Sequence, residues 1–211
     1  MHKVPADLRV ILIGGSSHVG KSTLADSLAA KLGWTQISTD KLARHPGRPW
    51  PEPVPDHVAE HYLSLSVREL IEDVLHHYKV NVWPQVEAIV TEIATDTSKE
   101  RIIVEGSALW PEFVATLDVA NLAAIWLTAS DAVFEQRIRA ASQYRTKSQR
   151  ERRMVDKFLK RSLLYNAQMM DAIRQHELVS VDVNAASVDE LIERCLSLLG
   201  LEHDCRMTDI F

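Results

Sequence analysis

Eight residues, Gly15-Ser16-Ser17-His18-Val19-Gly20-Lys21-Ser22, constrain the fold of this chain more than any others. They satisfy the spacing G-x-x-x-x-G-K-[ST], the Walker A phosphate-binding pattern. The flanks restrict the structure further. Residues 8–13 form a buried-strand run, and residues 22–32 place Leu24, Leu28 and Leu32 on one helical face before Gly33 stops the helix. Strand, loop and helix in that order aim the helix N-terminus at whatever the loop encloses, where free N–H groups and the helix dipole favour an anion. Gly15 and Gly20 permit a tight turn that points successive N–H groups inward. Lys21 brings a mobile positive charge for β- and γ-phosphates, and the Ser22 hydroxyl suits Mg²⁺. Ser16, Ser17, His18 and Val19 within the loop, with Thr23 just after it, complete the residues expected to contact a nucleoside triphosphate.

Beyond the loop, strand-like and helix-like segments alternate. Strands are expected at 34–39, 101–106, 122–127 and 178–183. Helices are expected at 56–79 and 83–98, from Ser130-Asp131 onward, and from a capping box at Ser187-Val188-Asp189-Glu190 to Gly200. This alternation predicts an α/β three-layer sandwich around a parallel sheet. At 211 residues and 46% hydrophobic content, one domain over 1–211 accounts for the chain. Residues 41–99 read as a helical acceptor-binding insertion, and 135–161 as a basic helical lid. Five prolines between 45 and 55 exclude a helix interior and predict an extended loop. No apolar run reaches membrane-spanning length, and the N-terminus shows no signal-peptide pattern. Cys195 and Cys205 suit a reducing cytoplasm better than a disulfide framework. The last eleven residues read as a loosely held tail.

In open parallel sheets, ligands sit beyond the carboxyl ends of the strands. Asp40 follows the second strand and Glu105 ends the third, so both converge on the loop. Phosphoryl transfer needs a metal held by oxygens, an oriented acceptor hydroxyl and cations for the transferring charge. Lys21, Asp40 and Glu105 are the catalytic candidates: Asp40 acts on the acceptor hydroxyl, and Glu105 joins Ser22 at Mg²⁺. Arg44 and Arg48, just past Asp40, suit an anionic acceptor. The chain carries a net charge of −5, yet residues 135–161 hold ten Lys/Arg against three acids. That block is +7 and the remainder −12, a distribution pointing to a small polyanion and arguing against general nucleic-acid binding. Within it, Arg137 is expected at the nucleotide, and Arg145 and Arg161 at the acceptor or the transferring phosphoryl. The polar break at 143–148 suits a lid that closes to exclude water.

A competing motif, His57-Val58-Ala59-Glu60-His61, matches the H-x-x-E-H zinc pattern. It is short and no third ligand follows it in sequence. His76-His77 reads as amphipathic helix surface, and Trp50, Trp83 and Trp110 as core packing.

Residues 13–23, 37–44 and 102–111, with 82–89 before the third strand, resemble small-molecule P-loop kinases of the nucleoside-monophosphate-kinase-like group. Within that group they most resemble 2-phosphoglycerate kinase and related AAA-type ATPases. The resemblance implies a five-stranded sheet in order 2-3-1-4-5, ATP as donor, Mg²⁺ as cofactor and an aspartate at Asp40 working on the acceptor hydroxyl. His18 and the proline-rich 45–55 stretch depart from the family pattern. The expectation is transfer of the γ-phosphoryl of ATP to a hydroxyl of a small, anionic, 2-phosphoglycerate-like metabolite. Two alternatives stay open at this point: a nucleotide-dependent regulatory ATPase that binds a partner protein, and a nucleic-acid-end kinase using the basic block.

Overall fold

All six residues of β1 (Val10–Gly15) are buried, because this strand runs through the middle of the sheet and is covered on both faces. The computed structural model describes residues 7–43, 45–184 and 186–201. In chain order β1 is followed by α1 (Lys21–Leu32), β2 (Thr35–Ser38), α2 (Asp56–Ser64), α3 (Val67–His77), α4 (Trp83–Thr95) and β3 (Ile102–Glu105). Then come α5 (Pro111–Val114), β4 (Leu122–Thr128), α6 (Asp131–Ala141), α7 (Gln149–Gln175), β5 (Ser180–Asp182) and α8 (Val188–Leu198). The five strands are all parallel, in the order β2-β3-β1-β4-β5. Both the sheet order and the three-layer α/β architecture are as expected.

The period of two along each strand divides the core. Ile11, Ile13, Ile103, Ile125 and Leu127 face one layer, packed with Leu24 and Leu28 of α1 and Phe134, Phe158 and Cys195 of the later helices. Val10, Leu12, Ile102, Val104 and Trp126 face the other, with Val86 and Val90 of α4, Trp110 and Tyr165. A Cβ at Gly14 would stand 2.3 Å from the Trp126 ring, so glycine is what admits that indole. Trp126 Nε1 donates to the Leu109 carbonyl at 2.8 Å, which satisfies its one polar atom in the core.

The insertion departs from expectation in two places. The single helix expected over 56–79 is broken at Leu65, whose ψ of 144° is extended. Ser66 then starts α3 with a reciprocal capping box to Glu69, a signal present in Ser66-Val67-Arg68-Glu69 that hydrophobic spacing alone passes over. Between α3 and α4, Tyr78–Val82 forms a π-helical turn rather than a gap. Pro84, in the first turn of α4, has no N–H for the carbonyl one turn back, a circumstance that favours such a bulge. The final helix starts at its Ser187–Glu190 capping box as expected. Among the described residues no helix is long and apolar enough to cross a membrane. Cys195 is buried; Cys205 and nearly all of the expected tail lie outside the described residues.

Candidate active site

The loop between β1 and α1 is shaped by contacts behind it as much as by its glycines. A Cβ at Gly15 would lie 2.8 Å from the Leu127 carbonyl, and Ser16 Oγ donates to the Ser162 carbonyl at 2.9 Å. Gly15 and Ser16 therefore brace the loop from behind, whereas Ser17 to Thr23 line the cavity in front. At Gly15 and Ser16, only the backbone is left to meet a ligand. Gly20 has φ 110° and leads directly into α1, whose first turn carries no acidic residue. The helix N-terminus is thus left open to an anion.

Lys21 is buried, and its Nζ donates to the Ser16 carbonyl at 2.9 Å. Burial lowers its pKa, while the nearby Glu105 and Asp40 carboxylates oppose that shift. Ser22 Oγ donates to Glu105 Oε1 at 3.2 Å, and Glu105 itself is only 3% exposed. A hydroxyl paired with a buried carboxylate is an all-oxygen donor set of the kind Mg²⁺ takes, so these residues fit the ion the loop implies. Asp40 lies in a 3-10 turn, Thr39–Lys41, directly after β2 and lines the same cavity. What brings it close to Glu105 is Gly106. A Cβ there would stand 1.7 Å from Thr39 Oγ1, so the ends of β2 and β3 approach only because position 106 has no side chain.

The cavity has a volume of about 770 Å³. Its lining combines apolar Val183, Val188 and Leu191 with Arg137, Asp40, Arg48, Arg161, His45 and His77. Arg137 Nη1 donates to the His18 and Val19 carbonyls at 3.2 and 2.7 Å, so it holds the loop in addition to lining the cavity. Arg161 is 7% exposed, with its guanidinium 4.7 Å from the Phe158 ring and 5.7 Å from the Tyr62 ring. Its Nη1 is buried without a hydrogen-bond partner. An unsatisfied guanidinium nitrogen at a cavity wall is poised for an anion.

His18, in the loop, adopts a left-handed φ of 66°. Its ring packs 5.5 Å from Trp50 and edge-on 5.8 Å from Phe158. Burial, then Arg48, Lys21 and Arg137, push its pKa down to about 4, so it is neutral among these cations. Trp50 is thus a wall for His18 and not only core. Trp83 and Trp110 are buried in the layer against α4, in keeping with their expected packing role.

The basic block is largely engaged elsewhere. Of its ten cations only Arg137 and Arg161 line the cavity. Arg139 and Arg152 lie over the Tyr144 ring, at 4.3 and 5.6 Å, and Lys147 is buried against Glu52 and Glu151. Lys157 donates to the Leu63 and Leu65 carbonyls. Arg145, expected at the acceptor, is exposed and away from the cavity, and its carbonyl accepts from Arg152 at 2.7 Å. The physical reason is the 3-10 turn at Tyr144–Thr146, which directs its backbone toward Arg152 and leaves the side chain in solvent. Arg44 lies outside the described residues. His77, expected on a helix surface, lines the cavity instead, because the π-helical turn that follows it folds this stretch inward. Tyr78, His45 and Phe158 also line it without having been anticipated. For Tyr78 and Phe158 the apolar spacing was visible but not the direction of the face.

No protein-family model and no curated protein sequence matches this chain. Solved structures do. A gluconokinase from Sinorhizobium meliloti 1021 superposes with a TM-score of 0.55 at 20% identity, over 92% of this chain and 93% of that one. A sugar kinase from Janibacter sp. HTCC2649 gives 0.56 at 16% identity, over 94% and 98%. The shikimate kinase from Aquifex aeolicus vf5 gives 0.53 at 15%, over 90% and 96%. The chain shares its fold with these three kinases. At these identities the likeness concerns the scaffold, and the chemistry rests on the residues described above.

Proposed function

We propose that this chain is an ATP- and Mg²⁺-dependent kinase that transfers the γ-phosphoryl of ATP to a hydroxyl of a small anionic metabolite. The observation that carries this reading is the Ser22–Glu105 hydrogen bond at the mouth of the phosphate loop, with Asp40 on the same cavity. Asp40, Arg48 and Arg161 on the cavity that holds the loop support an acceptor beside the phosphates, which a bare nucleotide switch would not need. Ser22 and Glu105 would hold Mg²⁺, which supplies charge neutralisation between the β- and γ-phosphates. Lys21 and the loop amides hold the phosphates, and Arg137 with Val183, Val188 and Leu191 form the wall for the base. Asp40 orients the acceptor hydroxyl and takes its proton as the oxygen attacks phosphorus and the bond to the leaving ADP oxygen breaks. Arg48 and Arg161 bind the acceptor's anionic group. Residues 41–99 then serve as the acceptor-binding insertion and 135–161 as a lid, linked to the proline-rich loop through Lys147 and Glu52. The reaction belongs in the cytoplasm, where its donor is abundant.

For the acceptor, 2-phosphoglycerate is the first candidate on the sequence resemblance: it combines a free hydroxyl with two anionic groups. The gluconokinase and shikimate kinase that share the fold act, by their names, on gluconate and shikimate, which are hydroxy acids too. The test is incubation with ATP, Mg²⁺ and these three acceptors, then with a metabolite extract, read by mass spectrometry with Lys21→Ala as the blank. A gain of one phosphoryl on one metabolite is expected. ATP hydrolysis that no metabolite stimulates, with no phosphorylated product, would remove the reading.

A further inference from the structure

Three histidines and an aspartate from three elements meet beside the cavity, which His45 and His77 line. His45 belongs to the proline-rich loop, His61 to α2, and Asp73 and His77 to α3. His45 Nε2 and His61 Nδ1 face the same carboxylate oxygen, Asp73 Oδ2, at 3.2 and 3.9 Å. One donor atom from each of His45, His61 and Asp73 lies within 4.8 Å of the other two. The His45 ring stands 5.4 Å from that of His61 and 5.1 Å from that of His77. Nε2 of His61 and Nε2 of His77 are both buried without a hydrogen-bond partner.

The geometry points to a binding site for a transition-metal cation of the zinc class formed by His45, His61 and Asp73. Arms of roughly 2.0–2.2 Å around a tetrahedral ion place ligand atoms about 3.4 Å apart, so the observed spacing needs only small side-chain rotations to close. Two imidazoles and one carboxylate select against Mg²⁺ and Ca²⁺, which prefer oxygen donors, and suit Zn²⁺ or Co²⁺. Asp73 supplies the negative charge that two neutral rings lack. The His57–His61 pair of the H-x-x-E-H motif is not the site. His57 and Glu60 are exposed on α2, while His61 turns the other way to meet residues far away in sequence.

Such an ion joins the proline-rich loop to α2 and α3. His45 also lines the cavity, so the ion would sit beside it. The metal site does not rest on the kinase reading.

The test uses the untagged full chain, stripped with a chelator and free of nucleotide. Zn²⁺ is titrated in competition with a chromophoric chelator, and Co²⁺ is added separately to read the visible d–d bands of a tetrahedral site. The expected result is one equivalent bound, a higher melting temperature with Zn²⁺, and at least ~100-fold weaker binding in His61→Ala and in Asp73→Asn. Asp73 is half exposed, so Asp73→Asn keeps the fold and carries the test should His61→Ala unfold; circular dichroism in chelator checks both. His57→Ala should bind as the unsubstituted protein does. Absence of saturable Zn²⁺ binding, or binding that survives Asp73→Asn, would overturn the site. A loss in His57→Ala equal to that in His61→Ala would overturn it in favour of the linear motif. Kinase activity is not read in any arm, so failure here leaves the proposed function standing.

Discussion

Lys21 occupies a point where two electrostatic effects oppose each other: burial disfavours its charge, and the Glu105 and Asp40 carboxylates restore it. Removing the ammonium leaves both acids facing the transferring phosphates unscreened. Lys21→Ala should therefore lower kcat/KM by about 100- to 1000-fold or more, measured by product formation at saturating Mg²⁺. Asp40→Asn keeps the side chain's shape but removes the proposed base. Its kcat should fall by about 100- to 10000-fold with the Kd for ATP nearly unchanged, and unaltered turnover would remove Asp40 from the chemistry. Gly106→Ala tests the packing that brings these groups together. Its methyl meets Thr39, so a loss of about 1–3 kcal/mol in urea unfolding is expected, with a drop in kcat as Asp40 and Glu105 move apart. Asp40 and Glu105 were legible in the sequence because strand ends in a parallel sheet converge by topology alone. The Gly106–Thr39 contact was not, since neither residue carries a local signal for the other.

At the scale of elements, α7 acts as the spine to which the insertion is fastened. Lys157 on α7 donates to the Leu63 and Leu65 carbonyls at the break between α2 and α3, where helix-end carbonyls have no intrahelical partner. Lys157→Met should cost about 1–3 kcal/mol in thermal unfolding, and should raise the acceptor KM more than the ATP KM. The break itself was readable from Ser66-x-x-Glu69, whereas the attachment across 92 residues was not. The basic block makes the same point in reverse. Ten cations in 27 residues suggest one function, yet packing gives most of them to Tyr144, Glu52, Glu151 and backbone carbonyls. Arg161 reaches the cavity because the α7 face carrying Phe158 turns inward, and Arg145 does not because its turn points outward.

Across the whole molecule, His18 and His45 couple stability to pH. Both are held near 4 in the fold against about 6.5 in the unfolded chain. Between those values the unfolded state binds more protons, so stability falls as pH is lowered from about 6.5 towards 4. A loss on the order of a few kcal/mol is expected for the pair in chelator-treated protein, read from urea midpoints across that range. A flat profile would mean that the two rings are solvated.

What the sequence by itself determined was local: the Walker A loop, the strand and helix alternation that dictates a parallel sheet, and the acids at the strand ends. Those follow from rules acting over a few residues and from the one-way topology of parallel strands. Only the tertiary structure decided which arginines face the cavity, that Gly15 and Ser16 brace the loop from behind, and that His45, His61 and Asp73 meet. Each of these depends on how a helix face or an irregular loop is turned by packing on both sides of the sheet. No spacing within the chain carries that information.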